Sequence, residues 1–117
     1  MPVTAAHVLL YSPEPEKLRA VLRDVFGWKH VDDGDGWLIF ALPPAEVGVH
    51  PSDGDTRHQL SFMCEDVHAT LAELRARGIE AEGEPVDAGY GITTTLILPG
   101  DVRVQLYEPR HASPLPP

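Results

Sequence analysis

The chain repeats the same order of predicted elements twice, and this repeat restricts the fold more than any other feature. Each half begins with an apolar strand, a helix with one apolar stripe and a stop glycine, and the two glycines, Gly27 and Gly78, lie 51 residues apart. His7 and Gln59, in the two first strands, are 52 residues apart. Because one strand–helix–strand–strand–strand copy has a single helix to cover its sheet, two copies predict a curved sheet with helices outside and a concave face inside.

The first copy is predicted to extend over residues 5–51. Its strand candidate at 6–11 is followed by Ser12 and Pro13, which are typical of a helix start. Apolar residues at helical spacing then predict a helix over 13–26. The turn-forming letters DDGDG join WKHV to WLIFAL as a hairpin, and EVGVH follows two prolines as a fourth strand.

The second copy is predicted to extend over residues 57–109. HQLSFMC (58–64) is its first strand, and Asp66 is the candidate N-cap of a helix that ends at Gly78. The helix has an apolar stripe formed by Val67, Leu71 and Leu74. The strands that follow are IEAEGEPV, GITTTLIL (91–98) and DVRVQLYE (101–108).

Together the copies predict an α+β fold in which two βαβββ modules form a curved, mostly antiparallel sheet. The helices lie on the outer face, and the inner face encloses a concave ligand cavity. A length of 117 residues suits one domain with a real core and leaves little room for a second. The predicted domain is therefore residues 1–117, with a proline-rich tail at 110–117.

Charge and cysteine content exclude several classes of function. Nine basic and 18 acidic residues give a net charge of −9, so nucleic-acid and membrane partners are not expected. No stretch approaches the ~20 apolar residues of a membrane span, and the N-terminus lacks the features of a signal peptide. The single cysteine, Cys64, is typical of a buried thiol in a reducing compartment, so a cytoplasmic location is expected.

Three stretches of the chain resemble a known family. They are HVLLYSPEPEKLRAVLRDVFGW near the start, HQLSFMCEDVHATLAELRARG at the opening of the second half, and LILPGDVRVQLYEP at the end. In these stretches the chain resembles the vicinal-oxygen-chelate superfamily, which includes glyoxalase I, extradiol dioxygenases, fosfomycin-resistance enzymes and bleomycin-binding proteins. The resemblance covers nearly the whole chain and implies the glyoxalase/bleomycin-resistance fold, which hosts several chemistries.

In the metal-dependent members of that superfamily, one ligand comes from the first strand of each module and one from the last. The resemblance places these positions on His7, Glu46, Gln59 and Gln105. It therefore implies one divalent metal ion, which would be zinc, nickel, manganese or iron. Two of the four positions carry neutral amides, which are weak ligands compared with imidazole or carboxylate.

A second interpretation places a metal ion on His7, His58 and Glu108, the two-histidine, one-carboxylate set of non-haem iron oxygenases. Strand alternation argues against this set, because His58 and Glu108 share their faces with apolar residues that have to cover the helices. Gln59 and Gln105 are then predicted to face the cavity. A slip of one residue in register would exchange the two sets.

Glu46 and His50 lie four residues apart in the predicted fourth strand and so point to the same face. At ~3.3 Å per residue their Cα atoms are roughly 13 Å apart, which argues against both binding one metal ion. By position Glu46 is the metal ligand and the candidate catalytic base, and His50 lines the cavity. His111 is predicted to be solvated. The other predicted cavity residues are Trp37, Met63, Arg103 and Tyr107.

Three functions are compatible with these residues. The first is a metal-dependent lyase or isomerase that acts on vicinal oxygens of a small substrate, with the metal ion as Lewis acid. The second is a metal-free protein that sequesters a small aromatic or peptide-like compound, and the third is a structural or regulatory domain with a vestigial cavity. The two glutamines favour the second function, whereas His7 together with Glu46 favours the first.

Exposed strand edges predict a homodimer. Two curved four-stranded modules leave unpaired edges, which soluble proteins rarely leave bare, and a twofold partner would cover them. The composition of the proline-rich end, residues 112–117, is equally compatible with a segment that crosses such an interface and with a disordered end. The expected partners are therefore a small molecule and a second copy of this chain.

Overall fold

The structure is a computed structural model that describes residues 5–116. It combines helices and strands in an α+β arrangement, as the sequence predicts. No helix within these residues is long and apolar enough to cross a membrane. The elements in chain order are α1 (Pro15–Ala20), which continues as a π-helical segment (Val21–Val25), β1 (His30–Asp32), β2 (Leu38–Phe40), β3 (Ser61–Met63), α2 (Val67–Ala76), β4 (Glu80–Asp87), β5 (Gly91–Leu98) and β6 (Val102–Pro109).

The second half forms a four-stranded sheet with one helix, in the predicted order of strand, helix and three strands. The strands lie in the order β3-β6-β5-β4, in which β4, β5 and β6 are antiparallel neighbours and β3 runs parallel to β6. Parallel pairing of the first strand with the last requires a crossover, part of which α2 provides. The sheet does not close into a barrel, and α2 covers one of its faces.

Helix α2 begins and ends where the sequence predicts. The Asp66 carboxylate accepts a hydrogen bond of 3.0 Å from the backbone N–H of Ala69, which satisfies a free donor of the first turn. Gly78 has φ +86°, the left-handed conformation that commonly ends a helix. The residues of the predicted apolar stripe are all buried in the core: Val67, Leu71 and Leu74.

The core lies between α2 and the sheet. Leu96 and Leu98 of β5, together with Val104 and Leu106 of β6, belong to this core and are at most 3% exposed. Leu18 of α1 joins the same cluster, so the core connects the two halves of the chain. The alternate side chains of β6 point to the other face of the sheet.

Helix α1 begins at Pro15 rather than at Pro13, which corrects the predicted start of this helix. Ser12 Oγ accepts a hydrogen bond of 3.0 Å from the Glu14 N–H and donates one of 2.8 Å to the Pro99 carbonyl. These contacts hold Ser12 against the β5–β6 turn. Pro15 then takes the first helical position, where its missing N–H costs nothing.

The hairpin β1–β2 has the predicted acidic turn. Its register pairs His30 with Phe40, and the Asp32 carboxylate accepts a hydrogen bond of 2.8 Å from the Gly34 N–H. Gly36 adopts φ +82°, a conformation that a side chain disfavours. The turn-forming residues therefore stabilise this hairpin locally, although each of its strands has only three residues.

The first and last strands predicted for the first half do not form in the described residues, which corrects that prediction. Residues 6–11 and 46–50 join neither sheet. A strand is stable only when a neighbour pairs with its backbone groups, and the described chain supplies no paired strand at these segments. Val47 and Val49 are consequently 91% and 97% exposed.

Candidate functional site

A cavity of about 790 Å³ lies between the two halves of the chain. Phe26, Trp28 and Glu46 line it from the first half, and Met63 and Tyr107 line it from the second. Ligand pockets in proteins typically have volumes of ~300–1,000 Å³. The cavity therefore has room for a small organic molecule.

Part of the cavity lining is aromatic. Ring centroids lie 5.2 Å apart for Phe26 and Trp28, 5.5 Å apart for Phe26 and Phe62, and 5.4 Å apart for Trp28 and Phe62. The backbone N–H of Trp28 donates to the Leu22 carbonyl at 3.1 Å, which holds this ring at the end of the first helix. Tilted and edge-on contacts of this kind are favourable, and the cluster offers apolar surface to a flat ligand.

The polar part of the lining is where the C-terminal tail (residues 110–116) meets Glu46. Ser113 Oγ donates a hydrogen bond to Glu46 Oε2, and His111 Nε2 lies 3.5 Å from Glu46 Oε1. The Tyr107 hydroxyl lies 3.0 Å from the same nitrogen of His111. A carboxylate, an imidazole and a phenol are thus brought together at one place in the cavity.

The His111 imidazole has one consistent tautomer in this arrangement. Its Nδ1 lies 2.8 Å from the Ala112 carbonyl oxygen, so Nδ1 carries the proton and Nε2 accepts a hydrogen bond from the Tyr107 hydroxyl. Burial raises the pKa of Tyr107 above its usual value, and the nearby Glu46 and Tyr90 raise this pKa further. Tyr107 therefore keeps its proton at neutral pH and donates to His111.

The two glutamines lie on a chain of hydrogen bonds along β3 and β6. Ser61 Oγ donates to Gln105 Oε1 at 3.2 Å, and Gln105 Nε2 donates to the Tyr90 hydroxyl at 2.7 Å. Gln59 Nε2 donates to Ser61 Oγ at 3.4 Å. The register pairs Ser61 with Gln105, so both side chains share the face of the sheet that points away from α2.

Glu108 lies on the other face of β6. Its Oε1 accepts a hydrogen bond of 3.1 Å from the backbone N–H of Val67, the first residue of α2. Val104 and Leu106 share this face and pack in the core. The Glu108 carboxylate therefore stabilises the start of α2. The alternative metal site of His7, His58 and Glu108 is not assembled at the cavity.

The four predicted metal ligands are not brought together within the described chain. His7 lines a separate, smaller cavity of about 300 Å³, whereas Glu46 and Gln59 line the larger one. Among residues 5–116 no group of three or more histidine, cysteine, aspartate or glutamate side chains could hold a metal ion. His7 stays apart because its segment joins no sheet. The predicted donor set therefore does not fit a metal ion in this arrangement.

Two of the other predicted cavity residues lie at the larger cavity. Met63 and Tyr107 line it, from adjacent positions in the β3–β6 register. Trp37 lines the smaller cavity instead, and the guanidinium carbon of Arg19 lies 5.1 Å from the centroid of its ring. The hairpin carries Trp37 toward α1, which explains this separation.

Arg103 and His50 lie outside both cavities. The Arg103 guanidinium forms ion pairs with Glu82 at 2.7 Å and with Asp101 at 3.1 Å, so acidic neighbours hold it at the surface of the sheet. His50 is exposed, and its Nδ1 lies 2.7 Å from the Pro51 carbonyl oxygen. Neither side chain is among those that line the larger cavity.

His111 is the cavity residue that the sequence did not indicate. The sequence predicts a solvated side chain here, because His111 falls at a turn. The contact that brings the tail to the cavity joins Ser113 to Glu46 across 67 residues. The proline content of the tail predicted either a disordered end or a segment that crosses a neighbouring surface, and no local pattern specified which surface.

Cys64 also lines the larger cavity. Burial raises the pKa of its thiol, and Sγ lies 3.7 Å from the Tyr107 carbonyl oxygen. The half-buried side chain of Cys64 packs against the hydrophobic core.

The chain is similar to known proteins over nearly its whole length. A family model described as Glyoxalase/Bleomycin resistance protein/Dioxygenase superfamily matches residues 4–109. The crystal structure of TnmS3, an antibiotic binding protein from Streptomyces sp. CB03234, is 23% identical with a TM-score of 0.67, covering 93% of this chain and 98% of that one. The structure of lactoylglutathione lyase from Agrobacterium tumefaciens is 19% identical with a TM-score of 0.65, covering 92% and 95% of the two chains. Comparison with curated proteins gives no match.

Proposed function

This chain belongs to the glyoxalase/bleomycin resistance protein/dioxygenase superfamily, and we propose that it binds a small, largely apolar aromatic compound in the cavity of about 790 Å³. The observation that carries the proposal is this cavity, which combines an aromatic lining with a few polar groups. Pockets of such composition bind organic ligands by burying apolar surface, and their polar groups set the orientation of the ligand. The likeness to TnmS3, an antibiotic binding protein, supports the same function.

Titration with Nile red, a neutral aromatic dye that fluoresces in apolar surroundings, tests the proposal. We expect saturable binding to the wild-type chain and at least about tenfold weaker binding to Met63→Trp, because the larger side chain fills part of the cavity. Met63 is 37% exposed, so the change does not overpack the core. Val86→Trp, at an exposed position on β4, is the control and should bind the dye as the wild type does. Failure of the wild type to bind, or equal binding by Met63→Trp, would contradict the proposal.

A metal-dependent lyase or isomerase is the second candidate, with Glu46 as ligand and catalytic base. In its favour, Glu46 and Gln59 line one cavity, and Ser61 links Gln59 to Gln105. His7 would have to join them, which requires an arrangement other than the one described. Metal analysis of protein prepared with and without added zinc, nickel, manganese or iron tests this candidate. Retention of one metal ion per chain that Glu46→Gln abolishes would favour it.

We further propose that the chain is a homodimer in which residues 5–51 and 57–109 are the two βαβββ modules of each copy. The support is that segments 6–11 and 46–50 lack strand partners and leave apolar side chains exposed. A second copy that pairs with these segments would satisfy their backbone groups and bury their side chains. Light scattering at micromolar concentration should give twice the 12.8 kDa of one chain, and the mass of a single chain would contradict the proposal.

A further inference from the structure

The polar part of the larger cavity offers hydrogen-bond acceptors. Glu46, Tyr107 and His111 line this part, and we call them, together with Ser113, which donates to Glu46, the acceptor corner. The Glu46 side chain is a carboxylate that is only 18% exposed. Tyr107 already donates its hydroxyl proton to His111, so only the lone pairs of its oxygen are free. The acceptor corner therefore suits a ligand group that donates hydrogen bonds.

The tail shows which groups this corner accepts. Ser113 donates its hydroxyl proton to one oxygen of the Glu46 carboxylate, and the His111 imidazole lies 3.5 Å from the other oxygen. A hydroxyl donor thus occupies one oxygen of the carboxylate, whereas His111 Nε2, which accepts from Tyr107, lies beside the other oxygen without donating to it. Arg110, at the base of the tail, pairs with Asp87, so the tail is fixed at its base independently of Glu46.

The charged side chains that line the cavity favour a cation. Glu46 and Glu73 are acidic. Arg77 is the one lysine or arginine among the described lining residues, and it donates to the backbone carbonyls of Asp24 at 2.7 Å and Val25 at 2.9 Å. An ammonium group at Glu46 would meet a carboxylate in poorly hydrated surroundings, where a charge-assisted hydrogen bond is stronger than in water.

From these contacts we propose that the acceptor corner is a subsite for a protonated amine carried by an aromatic ligand, an inference that rests on the proposed function. The ammonium group donates to the Glu46 carboxylate and to the Tyr107 oxygen. In doing so it replaces Ser113 as the donor to the carboxylate, so the tail competes with the ligand for Glu46. The aromatic body of the ligand packs in the apolar part of the same cavity.

Three probes with the same naphthalene body test this subsite on the intact protein: naphthylmethylamine, naphthylmethanol and naphthoate. They differ in charge but little in size, so apolar burial contributes similarly to the binding of each. Calorimetry at neutral pH should show the amine binding at least about tenfold more tightly than the alcohol, and the carboxylate more weakly than the alcohol. Equal affinities for the amine and the alcohol would overturn the proposal.

Matched variants test where the preference arises. Glu46→Gln keeps the size of the side chain and removes its charge, and should reduce the preference for the amine to about twofold or less. Glu80→Gln removes a charge at an exposed position on β4, outside the cavity lining, and should leave the preference unchanged. Ser113→Ala removes one competing donor and should strengthen amine binding by about two- to fivefold. A preference that persists in Glu46→Gln, or that disappears in Glu80→Gln, would overturn the subsite.

The measured affinity for the alcohol distinguishes failure of the amine subsite from failure of the proposed function. If amine and alcohol bind equally and Met63→Trp weakens both, the cavity binds aromatic compounds and the amine subsite is wrong. If neither Nile red nor any naphthalene probe binds to the wild type, the proposed function is wrong, and the subsite is wrong with it.

Discussion

At the scale of single residues, strand β6 separates two roles by the direction of each side chain. Gln105 points away from α2 and forms hydrogen bonds with Ser61 and Tyr90. Glu108 is three residues further along, so its side chain points to the opposite face, where it accepts a hydrogen bond from the Val67 N–H. A carboxylate at the N-terminus of a helix is favoured by the free N–H groups and by the helix dipole. One acidic and one amide side chain on the same strand therefore serve different purposes.

Replacing Glu108 tests its role in stability. Glu108→Ala leaves a donor at the start of α2 without its partner, so we expect the free energy of unfolding to fall by about 1–2 kcal/mol in urea denaturation. Nile red affinity should not change. Glu80→Ala, at an exposed position on β4, is the control and should change the free energy of unfolding by less than about 0.5 kcal/mol. Loss of dye binding by Glu108→Ala at unchanged stability would assign Glu108 to the binding site instead.

At the scale of secondary-structure elements, the two helices differ in what sets their first residue. A neighbouring residue sets it in α2, and a contact with a distant segment sets it in α1. Helix α2 carries its start signal beside it, because Asp66 accepts a hydrogen bond from the Ala69 N–H. Helix α1 begins later than its sequence predicts, because the Ser12 hydroxyl donates a hydrogen bond to the carbonyl of Pro99, which is 87 residues away. A cap within the same turn can be predicted from sequence, whereas a side chain engaged by a distant turn cannot.

Removing the cap of α2 should lower stability by a defined amount. Asp66→Ala loses the acceptor for the Ala69 N–H, and we expect a decrease of about 1 kcal/mol in the free energy of unfolding. Asp66→Asn, which retains an acceptor, should recover most of this loss. Asp53→Ala removes an exposed aspartate outside the helices and is the control. Equal losses for Asp66→Ala and Asp53→Ala would show that the cap does not stabilise α2.

The loop between β4 and β5 should respond to pH through Asp87. Its carboxylate accepts a hydrogen bond of 2.9 Å from the Gly89 N–H and pairs with Arg110, and these contacts lower the pKa of Asp87, the backbone hydrogen bond contributing most. Because the folded-state pKa is lowered, the stabilisation is present above the unfolded-state value of ~3.9. It is lost as the pH falls through the folded-state pKa. Since Asp87 is exposed, solvent screening keeps the effect small.

Asp87→Asn should remove this part of the acid sensitivity. The urea midpoint of the wild type should fall between about pH 5 and about pH 2.5 by more than the midpoint of Asp87→Asn does. Asp53→Asn, which changes an aspartate outside this loop, should follow the wild type. Parallel decreases in the wild type and Asp87→Asn would contradict the predicted linkage.

At the scale of the whole molecule, Arg77 connects the two halves between which the cavity lies. At the end of α2, its guanidinium donates to the carbonyls of Val25 and Asp24, the last turn of the first helical segment. These carbonyls have no partner within their own helix, so a planar group that reaches both of them stabilises the contact. Leu18 adds an apolar contact between the halves.

Arg77→Lys tests this connection, because an ammonium group cannot hold both carbonyls in the same fixed geometry. We expect a loss of about 1 kcal/mol in the free energy of unfolding, together with weaker Nile red binding. Arg57→Lys, at a side chain that is 75% exposed, should alter neither measurement. Unchanged dye affinity in a destabilised Arg77→Lys would mean that this contact does not set the shape of the cavity.

The proposed assembly should depend on residues 46–50. Val49→Asp places a charge in the segment that would be buried by a second copy, so the mass measured by light scattering should fall from two chains to one. Val86→Asp changes a valine that is also exposed, at 62%, and should leave the mass at two chains. A monomer produced by Val86→Asp alone would place the interface at β4 instead.

Features that depend on local periodicity can be predicted from the order of the amino acids alone. The segment GITTTLIL predicted the bounds of β5, and the alternation of apolar and polar residues in β6 predicted that Val104 and Leu106 pack in the core. Helical spacing predicted the buried stripe of α2, and the repeat with its three quoted stretches predicted the fold. In a strand or helix, the face that a side chain occupies follows from its position along the element, so these features need no knowledge of distant partners.

Contacts between distant segments, in contrast, follow only from the folded chain. Residues 6–11 and 46–50 have the composition of strands, yet they join no sheet because strand formation requires a paired neighbour. For the same reason His7 and Glu46 line different cavities, while the tail residue Ser113 reaches Glu46 across 67 positions. The free energy of a backbone or carboxylate hydrogen bond depends on a partner that may stand anywhere in the chain, and only the folded chain determines which partner comes within reach.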